Sequence, residues 1–114
     1  MRNLTRGQDL GLPAGQDVAR SLGTKPLTGT ELATELDPTP LWLYVVLEAG
    51  VAAGGQQLGP VGARIVAETL LGLLEADPNS YVRQQPEWTP TIGGASGLDG
   101  TFGLADLLRY ALER

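Results

Sequence analysis

Apolar residues recur at intervals of three and four through most of the chain, which is the spacing of one face of an α-helix. Val18 and Leu22 lie four residues apart, and Gly23 follows where a helix C-terminus would end. Thr28 is followed three residues later by Glu31, the spacing of a capping box. No stretch alternates with the period of two that is typical of a strand. The pattern predicts a mainly α protein with helices over residues 16–22, 28–36, 40–52, 60–76 and 103–113.

The predicted helix 60–76 is unusual because its charges are confined to one narrow stripe. Arg64, Glu68 and Glu75 fall close together at 100° per residue, and nearly every other position is apolar or small. Such a helix is typical of the core of a large protein, so we expect several short helices around one apolar core helix. Each leucine left in water would forgo roughly 1.5–3 kcal/mol. The alternative, a small orthogonal bundle in which the short helices cover this one completely, stays open.

Composition limits the classes of function that the chain can perform. The length of 114 residues predicts a single segment, and residues 84–102, rich in glycine and proline, are expected to form a flexible loop. A net charge of −5 disfavours nucleic acid as a partner, and no stretch is long and apolar enough to span a membrane. No signal peptide is predicted, and the compartment stays open. The absence of cysteine and histidine excludes thiolate sites and the commonest metal ligand and general base.

The candidate chemistry lies in the first residues. Asn3 and Arg6 are three apart, so a helical turn would project both to one side. An amide offers a donor and an acceptor, and a guanidinium offers a rigid fork of five donors. The pair would suit an anionic group beside a nitrogen donor. The simpler interpretation is that Asn3 caps a helix and that Arg6 is solvated.

The opening stretch NLTRGQDLGLP, residues 3–13, closely resembles a signature of the animal-type haem peroxidases. That signature reads Asn, two residues, Arg, a residue, Arg, Asp, a residue and Gly-Leu-Pro. The stretches TPLWLYVVLEAG at 39–50, LGPVGARIVAETLLGLLEADPNSY at 58–81 and GTFGLADLLRYA at 100–111 are also similar to later helices of that family. The resemblance implies the C-terminal part of the animal haem peroxidase fold.

The resemblance assigns roles to individual residues. Asn3 would hydrogen-bond the proximal histidine of the parent enzyme, and Arg6 would pair with a haem propionate. Gln8 stands where the family has its second arginine. Asp9 and Gly11 match the pattern and are expected to shape the turn into Leu12 and Pro13.

The family's proximal and distal histidines cannot be present in a chain without histidine. The resemblance therefore implies a fragment of an oxidoreductase that uses hydrogen peroxide, with a role in the oxidative stress response. The fragment would be inactive alone and bind no haem by itself. Its partner would be an upstream peroxidase chain that carries the histidines, and self-association through the exposed apolar helix is a further possibility. The alternatives are a non-catalytic helical module or split-gene partner that docks on such a chain, and a free-standing bundle that binds an apolar ligand.

Overall fold

Six α-helices account for most of the residues that the computed structural model describes, which are 2–88 and 103–113. No strand occurs in these ranges, and the prediction of a mainly α protein is confirmed. The chain divides into two compact units, Met1–Gly72 and Leu73–Arg114. The helices are α1 (Arg2–Asp9), α2 (Gly15–Ser21), α3 (Leu41–Ala53), α4 (Pro60–Ala76), α5 (Tyr81–Gln84) and α6 (Leu104–Leu112).

Two glycines end the first two helices in the same way. Gly11 adopts φ 62° and Gly23 φ 71°, backbone angles that side chains with a Cβ rarely adopt. After α1, the Leu12 N–H donates to the Gly7 carbonyl at 2.9 Å, and after α2 the Thr24 N–H donates to the Ala19 carbonyl at 2.9 Å. Both ends are Schellman closures. The structure thus confirms the predicted ending of α2 at Gly23 and the predicted turn-forming role of Gly11.

The predicted helix 28–36 is wrong, although its capping contacts form. The Thr28 N–H donates to the Glu31 carboxylate at 2.8 Å, and the Glu31 N–H donates to the Thr28 hydroxyl at 3.2 Å. The turn then stops, because Ala33 takes the left-handed φ of 53° and the Thr34 N–H donates back to the Gly29 carbonyl. A local cap therefore starts one helical turn here, and nothing after it extends the turn. Leu32 is buried in the core, whereas the residues from 35 to 38 are exposed.

Helix α3 lies at the centre of the first unit and packs against both α1 and α2. Tyr44 of α3 is fully buried, and its hydroxyl accepts the Leu27 N–H at 3.0 Å. A Cβ at Gly15 of α2 would lie 2.0 Å from the Tyr44 Cγ, so the two helices meet where a glycine faces the largest of the fully buried side chains. Ala19, Leu32, Tyr44 and Val61 form the buried cluster.

Helix α4 begins on a carboxylate that α3 supplies. Glu48 is only 3% exposed, and its Oε2 accepts the N–H groups of Val61 at 3.0 Å and Gly62 at 3.3 Å. Gly59, directly before the helix, has no side chain that could cap these donors. A Cβ there would lie 2.5 Å from the Glu48 Cγ. The buried carboxylate thus replaces the ordinary capping side chain and satisfies two N–H groups of the first turn.

The expectation that short helices surround 60–76 requires a correction. Within the described residues, α4 buries only Val61 and Gly62. Val66, Leu70, Leu71 and Leu73 are 45–64% exposed. The physical reason is that α1 and α2 both pack against α3, which takes the central position of the first unit. The alternative of a complete small bundle around α4 is therefore also wrong for the part of the chain that the structure describes.

In the second unit, the end of α4 is followed by α5 and α6. The Ser80 hydroxyl donates to the Leu74 carbonyl, and the rings of Tyr81 and Trp88 meet edge to face with centroids 5.7 Å apart. Asp106 of α6 accepts the Gly103 N–H at 3.0 Å. Of the loop expected at 84–102, Gln84 is the last residue of α5 and residues 85–88 are not helical. Residues 89–102 lie outside the described residues.

Candidate functional site

Asn3 and Arg6 both lie on α1, on neighbouring positions of one exposed helix. Residues three apart on a helix are separated by about 60° around its axis, so the two side chains can reach a common ligand. Among the described residues, neither side chain has a hydrogen-bond or ion-pair partner. The amide and the guanidinium are therefore not committed to any part of the chain that the structure describes. The apolar periodicity predicts no helix over these residues, so α1 is a finding of the structure, and the roles assigned to the two side chains stay a prediction.

A cleft of about 170 Å³ runs beside α1, and Asn3 lies on its wall. The cleft lies between α1, the turn that follows it and the first residues of α3. Its apolar lining includes Leu4, Leu12 and Trp42, together with three prolines. Gln8 is the second amide in the lining, and Arg6 does not line it. The structure thus places Asn3 and Gln8 at one cleft and leaves Arg6 on the adjacent side of the helix.

The far wall of the cleft is held in place by buried polar contacts. Thr39 is fully buried and lies between two of the lining prolines in the sequence. Its N–H donates to the Gln16 Oε1 at 2.9 Å, and the Gln16 Nε2 donates back to the Thr39 hydroxyl at 3.0 Å. The Gly15 N–H also donates to the Thr39 carbonyl at 2.9 Å. A buried network whose members are all satisfied is rigid, so this wall is fixed against α2.

Sequence reasoning missed this cleft and the Gln16–Thr39 pair that supports it. The two residues are 23 positions apart, and a glutamine at the start of a helix carries no signal of its own. The sequence distinguishes Gln8 only as the residue at the position of the second arginine in the signature that residues 3–13 resemble. A weak signal was available, because Asn3, Leu4, Gly7 and Gln8 share one face at helical spacing.

The charged groups of the described residues form no cluster that could hold a metal ion. No group of three or more acidic, histidine or cysteine side chains there could hold a metal ion. Two of the four ion pairs among the described residues, Asp17 with Arg20 and Arg64 with Glu68, are exposed contacts within one helix. The Thr28 backbone N–H, and then its hydroxyl, lowers the pKa of Glu31 below its usual value. That shift belongs to the cap at 28–31 and has no connection with the cleft.

Comparison with known proteins found no match to this chain among protein families, characterised proteins or solved structures. Among the described residues, no helix has the length and apolarity needed to cross a bilayer.

Proposed function

We propose that this chain is the C-terminal portion of an animal-type haem peroxidase and supplies contacts around a haem whose iron another segment ligates. The observation that carries the proposal is the placement of Asn3 and Arg6 side by side on α1, exposed and without partners among the described residues. The resemblance of residues 3–13 to the peroxidase signature provides the identity of the ligand that these side chains would meet.

The side chains of this chain suit contacts around the edge of a haem, but the residues that usually ligate its iron are absent. Histidine and cysteine, the usual strong axial ligands, are missing from the sequence. The Arg6 guanidinium is exposed and uncommitted, which suits a charge-assisted bond to a propionate carboxylate. The Asn3 amide oxygen could accept the N–H of an imidazole and so fix the orientation of its ring. When bound, the haem supplies the redox chemistry, which reduces a peroxide and oxidises a second substrate.

The exposed face of α4 supports the fragment proposal independently of α1. Val66 and Leu70 lie four residues apart, which makes one continuous apolar strip, and Leu70 is 57% exposed. The paired side chains of Arg64 and Glu68 lie on the other side of the helix. A strip of this kind on an isolated domain marks a surface that another protein segment covers. The histidine-bearing part of the parent enzyme is the partner that we propose for it.

A non-catalytic helical module is the second candidate, because the exposed strip of α4 favours docking whether or not haem is present. The two proposals differ in what the docked complex contains. A peroxidase portion restores haem binding to its partner, whereas a simple docking module leaves the haem content of the partner unchanged.

The experiment is a complementation assay. A bacterial animal-type haem peroxidase is truncated just before its own signature, and the remaining part, which carries the histidines, is co-expressed with this chain. We expect a complex with a Soret absorption band and peroxide-dependent oxidation of a dye. The chain alone should show neither. Saturable turnover by the purified, tag-free chain would contradict the proposal.

Matched variants separate the two residues' roles in that complex. Arg6→Gln should lower haem retention, whereas Arg2→Gln, a neighbouring exposed arginine of the same helix, should not. Asn3→Ala should shift the haem spectrum and the reduction potential without loss of helix content, whereas Asn79→Ala should have no effect on either. Equal haem retention for both arginine variants would remove the propionate role, and an unchanged spectrum for Asn3→Ala would remove the imidazole role.

A further inference from the structure

We infer that the cleft beside α1 is a binding site for a neutral aromatic ring that carries a hydrogen-bonding group at its edge. This inference rests on the cleft alone and does not require that the chain belong to a haem peroxidase.

The size of the cleft sets the size of the occupant. Its volume is about 170 Å³. An engineered apolar protein cavity of about 150 Å³ stays dry and binds benzene. A single six-membered ring with one substituent therefore fits, whereas a porphyrin or a nucleotide does not.

The walls of the cleft determine its polarity. Leu4, Leu12 and Trp42 present apolar surface, and no charged side chain lines the cleft among the described residues. Arg6 and Asp9 are close in sequence to Gln8 but are not part of the lining. An ionised ligand would leave water for an apolar wall without a countercharge, which is costly. The occupant is therefore neutral, and any anion that Arg6 binds lies outside the cleft.

Two amides give the cleft its hydrogen-bonding capacity. Asn3 and Gln8 line the same cavity, and each amide can both donate and accept. A small number of polar groups in an apolar pocket fixes the orientation of a ligand. A hydroxyl or a ring N–H at the edge of the occupant could be satisfied by either amide. Phenol and indole rings have this combination of an apolar face and a polar edge.

The test uses the full chain with Trp88→Phe, which leaves Trp42 as the single tryptophan and makes its fluorescence a reporter of the cleft. The probe is 4-methylphenol, for which we expect saturable binding with a dissociation constant on the order of 1 mM. Toluene tests the contribution of the polar edge, and 4-methylbenzoate tests the exclusion of charge. We expect the benzoate to bind at least tenfold more weakly than the phenol, and an equal affinity would overturn the inference.

Two variants connect binding to the cleft. Gly7 lines the cleft, and a Cβ there would lie at an ordinary 3.8 Å from the Leu12 Cδ1, so the first atom of the side chain in Gly7→Leu meets no clash and the rest takes up space in the cleft. Leucine also favours the helix more than glycine does. This variant should weaken 4-methylphenol at least tenfold, whereas Gly50→Leu on the open surface of α3 should not. Gln8→Leu should weaken 4-methylphenol about fivefold, the value of one hydrogen bond, and leave toluene unchanged. Gln57→Leu is its control.

The source of the ring is decided by a third comparison. N-acetyl-tyrosinamide carries the same phenol on a peptide backbone. If it binds as tightly as 4-methylphenol, the natural occupant is an aromatic side chain of a partner protein, and if it binds tenfold more weakly, the occupant is a free small molecule. The inference would be overturned if neither 4-methylphenol nor N-acetyl-tyrosinamide produced a saturable change in Trp42 fluorescence. It would also be overturned if 4-methylphenol bound Gly7→Leu as tightly as it binds the chain with glycine at this position. Failure here with successful haem complementation would leave the proposed function intact.

Discussion

Removal of the Glu48 carboxylate should uncouple α4 from α3. In Glu48→Ala, the N–H groups of Val61 and Gly62 lose their acceptor, which they now reach at 3.0 and 3.3 Å. Both residues are buried, so water cannot easily replace the carboxylate. An unsatisfied buried donor costs about 1–3 kcal/mol, and a negative charge at a helix N-terminus contributes about 0.3–1 kcal/mol more. We therefore expect the free energy of unfolding to fall by about 3–5 kcal/mol.

The conservative variant separates the hydrogen bonds from the charge. Glu48→Gln keeps an oxygen that can accept the same N–H groups and removes only the negative charge, so its loss should be about 1–2 kcal/mol. Glu35→Ala and Glu35→Gln are the matched controls, because Glu35 is an exposed carboxylate outside the helices. Both controls should remain within about 0.5 kcal/mol of the unchanged chain.

Urea unfolding followed by circular dichroism measures the free energies, and native-state hydrogen exchange measures the two amides directly. We expect the amide protons of Val61 and Gly62 to exchange much faster in Glu48→Ala, by a larger factor than those of α2. If Glu48→Ala proved as stable as its Glu35 counterpart, or if the two amides kept their protection, the carboxylate would not be the cap of α4.

Three further predictions concern packing, titration and the exposed face of α4. Gly15→Ala should lower the free energy of unfolding by about 1–3 kcal/mol, because the added Cβ meets a buried aromatic ring. Gly50→Ala, whose Cβ would have nothing within 4 Å, should raise the free energy of unfolding by about 0.5–1 kcal/mol. Urea unfolding measures both variants, and equal changes in the two would refute the prediction. The pKa of Glu31, followed by NMR, should lie below its usual value and should rise in Thr28→Val; an unmoved pKa in the variant would leave only the backbone donor as the cause of the shift. Because the pKa is lowered in the folded chain, the Glu31 carboxylate stabilises the fold above the pKa of the unfolded chain, and this stabilisation is lost as the pH falls through the folded pKa. Self-association of the chain through the exposed apolar face of α4 should be reduced in Leu70→Gln and kept in Leu70→Met. Sedimentation velocity measures the association, and the same sedimentation for both variants would exclude this face of α4 as the contact between copies.

Local sequence determined α2, α3, α4 and α6 and most of their ends, whereas α1 and α5 were not predicted. Helix α4 runs over 60–76 as its periodicity predicts, and α3 and α6 differ from their predicted ranges by a residue at each end. Gly23 ends α2 because a left-handed residue is needed there and glycine adopts that conformation without a Cβ penalty. The spacing of Asn3 and Arg6 predicts only that a helical turn would project both to one side, and helix α1 itself was not predicted.

Tertiary structure decided what the helices do with their surfaces. The capping box at Thr28 is formed, but the predicted helix 28–36 ends after one turn because the chain leaves the core after Leu32. The single carboxyl group in the apolar stretch of α3 was visible in the sequence, but its partners lie 13 and 14 residues away on another helix. The cleft that joins Asn3, Gln8 and Trp42 likewise depends on segments almost 40 residues apart. The spacing of apolar residues predicts which side of a helix is apolar. Only tertiary packing determines whether that side is buried, as for Tyr44, or exposed, as for Leu70. Burial depends on which distant segments pack against a surface in the folded chain, and that information is not contained in any local stretch.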